Sequence, residues 1–317
     1  MPIIIITPYG PVEALPGAEF HPDGSVRSCI PAIACPLNTP LGVLVPQFTA
    51  NSQRKRQLPA MLFHPGARLR NLPLEEQTVV LTPLGPLSAE QVTFHESGAL
   101  KRLFPLNGTL SGFWTQEDEA AMAVPLALDT PLGPVETAVI SLYFSGQGAL
   151  RSLTLWPGRT LEVPCPLGAV TARIGVSFYD SGALRSLEPA APTAVPTPIG
   201  PLTAFDPDAV GVNGDINSLR FRENGSLLGL VTTAHAFDVV QENGRVRRIE
   251  PPLRRDPCDG QSLEVGPLAL EFAGGRVAIG RPGQSRISAA ATDVTAVPFH
   301  PPLPAMQRLC TMGAGAW

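Results

Sequence analysis

Little in this chain is charged, and almost none of it is lysine. Charged residues make up 16% of the 317, against an ordinary quarter, and only Lys55 and Lys101 stand among 23 basic residues. The formal net charge of -4 excludes a general electrostatic attraction to nucleic acid or to an anionic membrane. No apolar run approaches the roughly 18 residues of a membrane-spanning helix, so no transmembrane segment is expected. Ile3 to Ile6 form an apolar run without a basic stretch ahead of them, which predicts a first buried strand in place of a signal peptide. Cytoplasmic residence follows as the default. Five cysteines, Cys29, Cys35, Cys165, Cys258 and Cys310, are dispersed with no CxxC pair, which fits small buried hydrophobes and not a zinc site.

Catalytic signatures are missing as well. No GxGxxG or GxxxxGK[ST] cradle occurs, and no nucleophile elbow supports a Ser-His-Asp set. Glu117, Asp118 and Glu119 are adjacent, a poor arrangement for two carboxylates facing each other across a groove. Catalytic, cofactor-binding and metal-ligating residues are therefore all expected to be none, and no cofactor is expected.

What the chain has in abundance is proline and glycine, 36 and 30, spread without a three-residue period. That composition suits many short strands with frequent turns and disfavours long helices. The best helical candidate is the acidic stretch Gln116 to Met122, stopped by Pro125.

One box recurs as Thr7-Pro8-Tyr9-Gly10, Thr39-Pro40-Leu41-Gly42, Thr82-Pro83-Leu84-Gly85, Thr130-Pro131-Leu132-Gly133 and Thr197-Pro198-Ile199-Gly200. Cys165-Pro166-Leu167-Gly168 is a degenerate copy. Downstream of each comes a phenylalanine, a short turn with glycine, then apolar residues: Phe20, Phe63, Phe94, Phe144, Phe178 and Phe221. The distance from box to Phe runs 13, 24, 12, 14, 13 and 24. Boxes at 7 and 165, and at 39 and 197, match at one offset of 158 residues, as do Phe20 with Phe178 and Phe63 with Phe221. An internal duplication into halves 1-158 and 159-317 accounts for the series. Phe272 and Phe299 continue the second half in decayed units, the latter followed by Pro304 to Leu309.

The expected fold is all-β: tandem β-hairpin repeats forming an elongated sheet or a β-solenoid, with a closed ring of repeats as the alternative. Pairs such as Ser97-Gly98 and Asn224-Gly225 supply the positive φ of a reversal. Leu100 and Leu103, three apart, need a bulge to face the same way. The Thr-Pro box is expected to start a strand or turn a corner between hairpins, one hairpin per unit.

The strand, turn, strand motif with Gly-x-Leu after the turn resembles the variant MORN-type hairpin repeats of bacterial proteins, over about ten residues per unit. The Tyr-x-Gly-x-x-x-x-Gly spacing of that family is not kept, and the Pro-rich boxes are foreign to it. The resemblance implies a scaffold for protein interaction and carries over no catalytic residue.

Several features bear on function. His21, His64 and His95 each follow a repeat phenylalanine, and a turn-bonded or solvated histidine inherited with the repeat competes with a metal-binding ladder. Equivalent long insertions differ in charge: Asn51 to Arg56 is basic, while Asp206, Asp208 and Gly211 to Asp215 are acidic. Arg245, Arg247, Arg248, Arg254 and Arg255 form an arginine run able to meet an acidic partner or to sit as a solvated strand face. A non-enzymatic interaction scaffold is the favoured reading, with another protein as partner and self-association as a further option. The alternative is a carbohydrate-binding protein or hydrolase with its site at the junction of the halves.

Overall fold

The computed structural model describes residues 2-50, 53-108, 110, 113-210, 214-255 and 263-301. Apart from the helix Gln116–Ala121 and two single 3-10 turns, the regular structure among them is β. That helix starts on a reciprocal cap: Thr115 accepts from the Asp118 amide, and Asp118 accepts from the Thr115 amide, satisfying two otherwise orphaned donors.

Most of the hairpins share one turn. In the Phe94 hairpin the His95 N–H donates to the Ala99 carbonyl and the Gly98 N–H to the His95 carbonyl, both at 2.9 Å. The same pair of bonds closes the turns after Phe20, Phe144, Phe178 and Phe221. Gly98 sits at φ 89°, a left-handed conformation that a Cβ would strain. The ladder then slips between Leu100 and Arg102. This is the expected bulge, and it leaves Leu100 and Leu103 both buried.

The Thr-Pro boxes do something the sequence reading did not assign them. Each is the tip of its own two-stranded ribbon, so a repeat holds two hairpins. Ile3–Thr7 pairs with Gly10–Ala14, Leu37–Thr39 with Gly42–Leu44, and Leu126–Thr130 with Gly133–Thr137. The third ribbon is the outer part of the long strands Arg68–Thr82 and Gly85–Phe94. Proline is tolerated in these ladders because both strands of a two-stranded ribbon are edges. The threonine fixes the turn: Thr82 Oγ1 donates to the Gly85 carbonyl at 2.8 Å and accepts from the Leu84 N–H at 3.1 Å. Thr7, Thr39, Thr130 and Thr197 repeat both bonds.

The chain divides into two compact units. The first comprises Met1–Leu161, Arg173–Leu184 and Gly211–Asp215. Its main sheet is an antiparallel meander from Glu19–Phe20 through Val26–Cys29, Met61–His64, the two long strands, Leu100–Phe104, Val139–Phe144 and Leu150–Leu155 to the strand ending at Phe178. One face carries the cross-strand row Leu72, Val92, Leu103, Leu142, Leu153 and Val176, every member fully buried. Burial of each such side chain contributes about 1.5–3 kcal/mol. The opposite face carries the row Asn71, Thr93, Arg102, Tyr143, Ser152 and Ser177. Ribbon tips meet the turn of the following hairpin: a Cβ on Gly148 would lie 3.2 Å from Pro83 and one on Gly182 3.5 Å from Pro131.

The second unit comprises Glu162–Ala172, Arg185–Val210 and the chain from Ile216 onward. Its meander runs through Leu184–Pro189, Leu219–Phe221, Leu227–Thr232, Leu268–Ala273, Arg276–Gly280 and Ile287–Ala290. A separate three-stranded sheet joins His235–Val240 at its centre to Val246–Ile249 and Val294–Pro298. The Pro166 tip lies against the Phe221 turn at Gly225, in the same relation as in the first unit.

The expected all-β architecture is found as a large antiparallel sheet of hairpin strands, while two other expectations are overturned. Neither a closed barrel nor a curled solenoid is formed among the described residues; consecutive strands lie side by side in antiparallel ladders. The isoleucine run is not a buried strand either. Only Ile5 of it is buried, while Ile4 and Ile6 are 72% and 76% exposed, because a ribbon has one covered face and side chains alternate across it.

Candidate binding groove

The repeat histidines tie hairpins together. The Nε2 of His21 lies 3.1 Å from the Phe63 carbonyl, that of His64 3.2 Å from the Phe94 carbonyl, and that of His95 2.9 Å from the Phe144 carbonyl. A carbonyl only accepts, so each ring nitrogen carries the proton. Arg222, which also follows its phenylalanine, donates in the same way to the Phe272 carbonyl. The three histidine side chains bond to the next hairpin and not to their own turn, whereas Arg222 also donates to the Leu227 carbonyl of its own hairpin at 2.8 Å. No group of three or more His, Cys, Asp or Glu able to hold a metal occurs among the described residues. His235 lies apart from this pattern, and burial pushes its pKa below the usual imidazole value.

The basic insertion is folded into the first unit. Arg54 is buried and bonds bidentately to Glu90 at 2.8 and 2.6 Å and to Glu119 at 2.6 and 2.6 Å. The Asn107 and Gly108 amides and the Trp114 indole supply further donors to the two carboxylates. The Glu119 bonds, partly opposed by burial and reinforced by Glu90, hold the Arg54 guanidinium above its ordinary pKa. Lys55 donates to the Glu75 carbonyl, and Arg56 stacks 4.3 Å over the Phe113 ring. Asn51 and Ser52 lie outside the described residues.

The acidic insertion is likewise engaged. Asp215 accepts from Arg102 and from the Ser152 hydroxyl, and Arg102 also reaches Ser141 at 2.9 Å. Asp208 accepts from Arg254, so it is matched by a guanidinium. Gly211, Val212 and Asn213 lie outside the described residues. Of the cysteines, Cys29, Cys35 and Cys165 are free thiols. Burial, with Cys35 beside it, pushes the Cys29 thiol up to about 11; Cys258, Cys310 and the stretch Pro304 to Leu309 are outside the described residues.

The arginine run divides in two. Arg248 is matched by Asp238 across the ladder at 2.7 and 2.6 Å, and Arg254 by Asp208 and Glu264. Arg247 has no carboxylate partner among the described residues. It lines a cavity of about 490 Å³ in the second unit, together with Arg248, Glu250, Leu268, Arg281 and Arg286. Arg281 also lacks an acidic partner among the described residues, whereas Arg286 donates to Glu271 at 2.7 Å. A second cavity of about 420 Å³ shares Arg247 and Ile287 with the first and continues along Ile287 to Ala290. Its charges, Arg247 and Arg276 against Glu242 and Asp293, balance.

The two cavities form one groove bordered by two edge strands, Val246–Ile249 and Ile287–Ala290. Arg276 covers part of the second edge by donating to the Ser288 hydroxyl at 3.2 Å and its carbonyl at 3.1 Å. Positive charge is concentrated at the far end. An anionic group entering there meets unneutralised guanidinium donors in a geometry suited to carboxylate.

Of these residues only Arg247 and Arg248 belong to the run singled out from the sequence. Arg281 and Arg286 flank the Arg-Pro-Gly-Gln-Ser-Arg turn, and folding alone brings that turn to face the strand Val246–Ile249. A proline-glycine turn bracketed by arginines was the available signal.

The folds of the two units thus define an all-β protein built of hairpin repeats on antiparallel sheets. No protein-family model matches the chain, and no curated protein matches its sequence. No helix among the described residues is long and apolar enough to cross a membrane.

Proposed function

We propose that this protein is a non-enzymatic interaction scaffold of β-hairpin repeats whose second-unit groove holds an extended acidic segment of another protein. The observation that carries the reading is the pair Arg247 and Arg281, each without an acidic partner among the described residues, lining a groove bordered by two strand edges. An extended segment adds main-chain bonds to an open edge, while side chains on alternate positions reach the groove walls. Several polar groups elsewhere are committed to structure: His21, His64 and His95 to carbonyls, Arg54 to two carboxylates, Asp215 to Arg102 and Ser152.

The internal duplication across 1-158 and 159-317, and the kinship with MORN-type hairpins, are part of the same proposal. The threonine clamps at Thr39 and Thr197, with buried Phe63 and Phe221 at the same offset, support the first; the shared glycine turn supports the second.

Fluorescence anisotropy with a labelled peptide of alternating glutamate and valine tests the groove. Saturable binding is expected that weakens with salt and is lost in the double variant Arg247→Glu, Arg281→Glu. A native protein indifferent to this peptide, or equal binding by the variant, overturns the reading.

A further inference from the structure

We infer that the outer face of the first three ribbons, in the first unit, is the contact surface of a homodimer. The alternation that buries Ile5, Val12, Leu37, Leu44, Val80 and Leu87 turns their neighbours outward. Ile4 and Ile6 are 72% and 76% exposed, Val43 61%, Val79 64% and Leu81 70%. Pro11 stands across the ladder from Ile6, and Pro86 from Leu81, so each ribbon adds to the same apolar face.

The three ribbons are joined into one layer. The Asn38 N–H donates to the Tyr9 carbonyl at 2.9 Å between the first and second. Between the second ribbon and the strand that continues into the third, the Gln47 N–H donates to Pro73 and the Glu75 N–H to Val45, both at 3.0 Å. With Pro11 and Pro86, which are also exposed, the outward aliphatic residues amount to on the order of 700 Å², above the roughly 300–600 Å² of the largest apolar patch on a typical monomer. It also approaches the roughly 800 Å² per partner of a standard interface.

The chemistry of the face selects a second copy as its occupant. A twofold contact lays the same patch against itself, so any charge on it meets its like. The outward positions Ile4, Ile6, Val43, Val79 and Leu81 are uncharged, and Glu13, which stands across the ladder from Ile4, is only partly exposed. The fourth ribbon, by contrast, turns Asp129 and Glu136 outward, and there the apolar face stops. A lipid surface is disfavoured because interfacial segments combine apolar residues with Lys, Arg and aromatic side chains, and the five exposed aliphatics bring neither. Among the described residues the strand Ile3–Thr7 pairs only with Gly10–Ala14, leaving an edge of isoleucines beside the patch.

Sedimentation velocity of the full chain across a micromolar concentration series tests the inference. The native protein is expected to sediment as a reversible dimer. Ile6→Lys with Leu81→Lys is expected to give a monomer of unchanged circular dichroism, since both side chains are exposed. Ala127→Lys on the fourth ribbon is expected to leave the dimer intact. A native monomer at every concentration, or a dimer that survives the double lysine variant, overturns the inference. So does a monomer that floats with phosphatidylcholine vesicles and loses this on Ile6→Lys, which would assign the face to lipid.

Discussion

Two buried carboxylates share one guanidinium at Arg54, and the residue-level logic of the first unit follows from how such charges are satisfied. Removing one member of a buried ion group costs more than the group contributes, because the rest is left uncompensated. Glu75 offers a gentler test. Partial burial pulls its pKa up, but the Thr49 hydroxyl, the Phe48 and Thr49 amides and the Lys55 ammonium together hold it below the usual carboxylate value. A carboxyl whose folded pKa is depressed binds fewer protons folded than unfolded. Its contribution is therefore complete above the unfolded value of about 4.3 and is lost as pH falls through the lower folded value. Glu75→Gln is expected to lower the urea midpoint at pH 7, and the gap from the native protein to narrow steadily below about pH 4. An equal gap at pH 7 and at pH 3 would sink the ionic account and leave only lost packing.

At the scale of the element, glycine marks where one backbone lies on another. A Cβ on Gly175 would stand 2.3 Å from the Gly214 Cα and 2.9 Å from its carbonyl oxygen, so the segment carrying Asp215 rests directly on the sheet strand. Ile174 just before it holds φ 61°, a costly conformation for a β-branched residue, as the strand bends out of its ribbon. Gly175→Ala is expected to destabilise by about 1–3 kcal/mol through this overpacking and to expose the chain near Asp215 to limited proteolysis. Native-like resistance there would show that the segment is not held by this approach. The glycine turns, the bulge after Gly98 and the helix at Gln116 were legible in the sequence, because each is decided within about five residues. The ribbons were not, since a proline box reads as a break until both flanking strands are known to be edges. Nor were the histidine bonds, whose partners lie 42, 30 and 49 residues away and are backbone carbonyls that no side-chain pattern announces. The groove was half legible: the arginine run marked one wall, while Arg281 on the other came from a separate hairpin.

For the molecule as a whole, each first-unit hairpin bonds chiefly to the one before and the one after. Stability in such an array is a sum of hairpin terms and nearest-neighbour terms, and its ends open first. The first hairpin has one neighbour in the sheet, a two-residue edge strand Glu19–Phe20 and a phenylalanine that is 50% exposed. Its link to the second includes the His21 bond to Phe63 and the pairing of Ser28 with Leu62. Leu103, Leu142 and Leu153, by contrast, lie on adjoining central strands and are fully buried. Hydrogen exchange is expected to protect the amides of those three strands up to the global unfolding free energy, while residues 19 to 29 open at a lower one. His21→Ala removes one neighbour bond, worth about 1 kcal/mol, and should lower protection in the first hairpin while leaving the central strands unchanged. Uniform protection across these strands, or a loss that spreads from His21→Ala to Leu153, would mean that the unit unfolds as a single block and that the histidine bonds are not terms of a nearest-neighbour array.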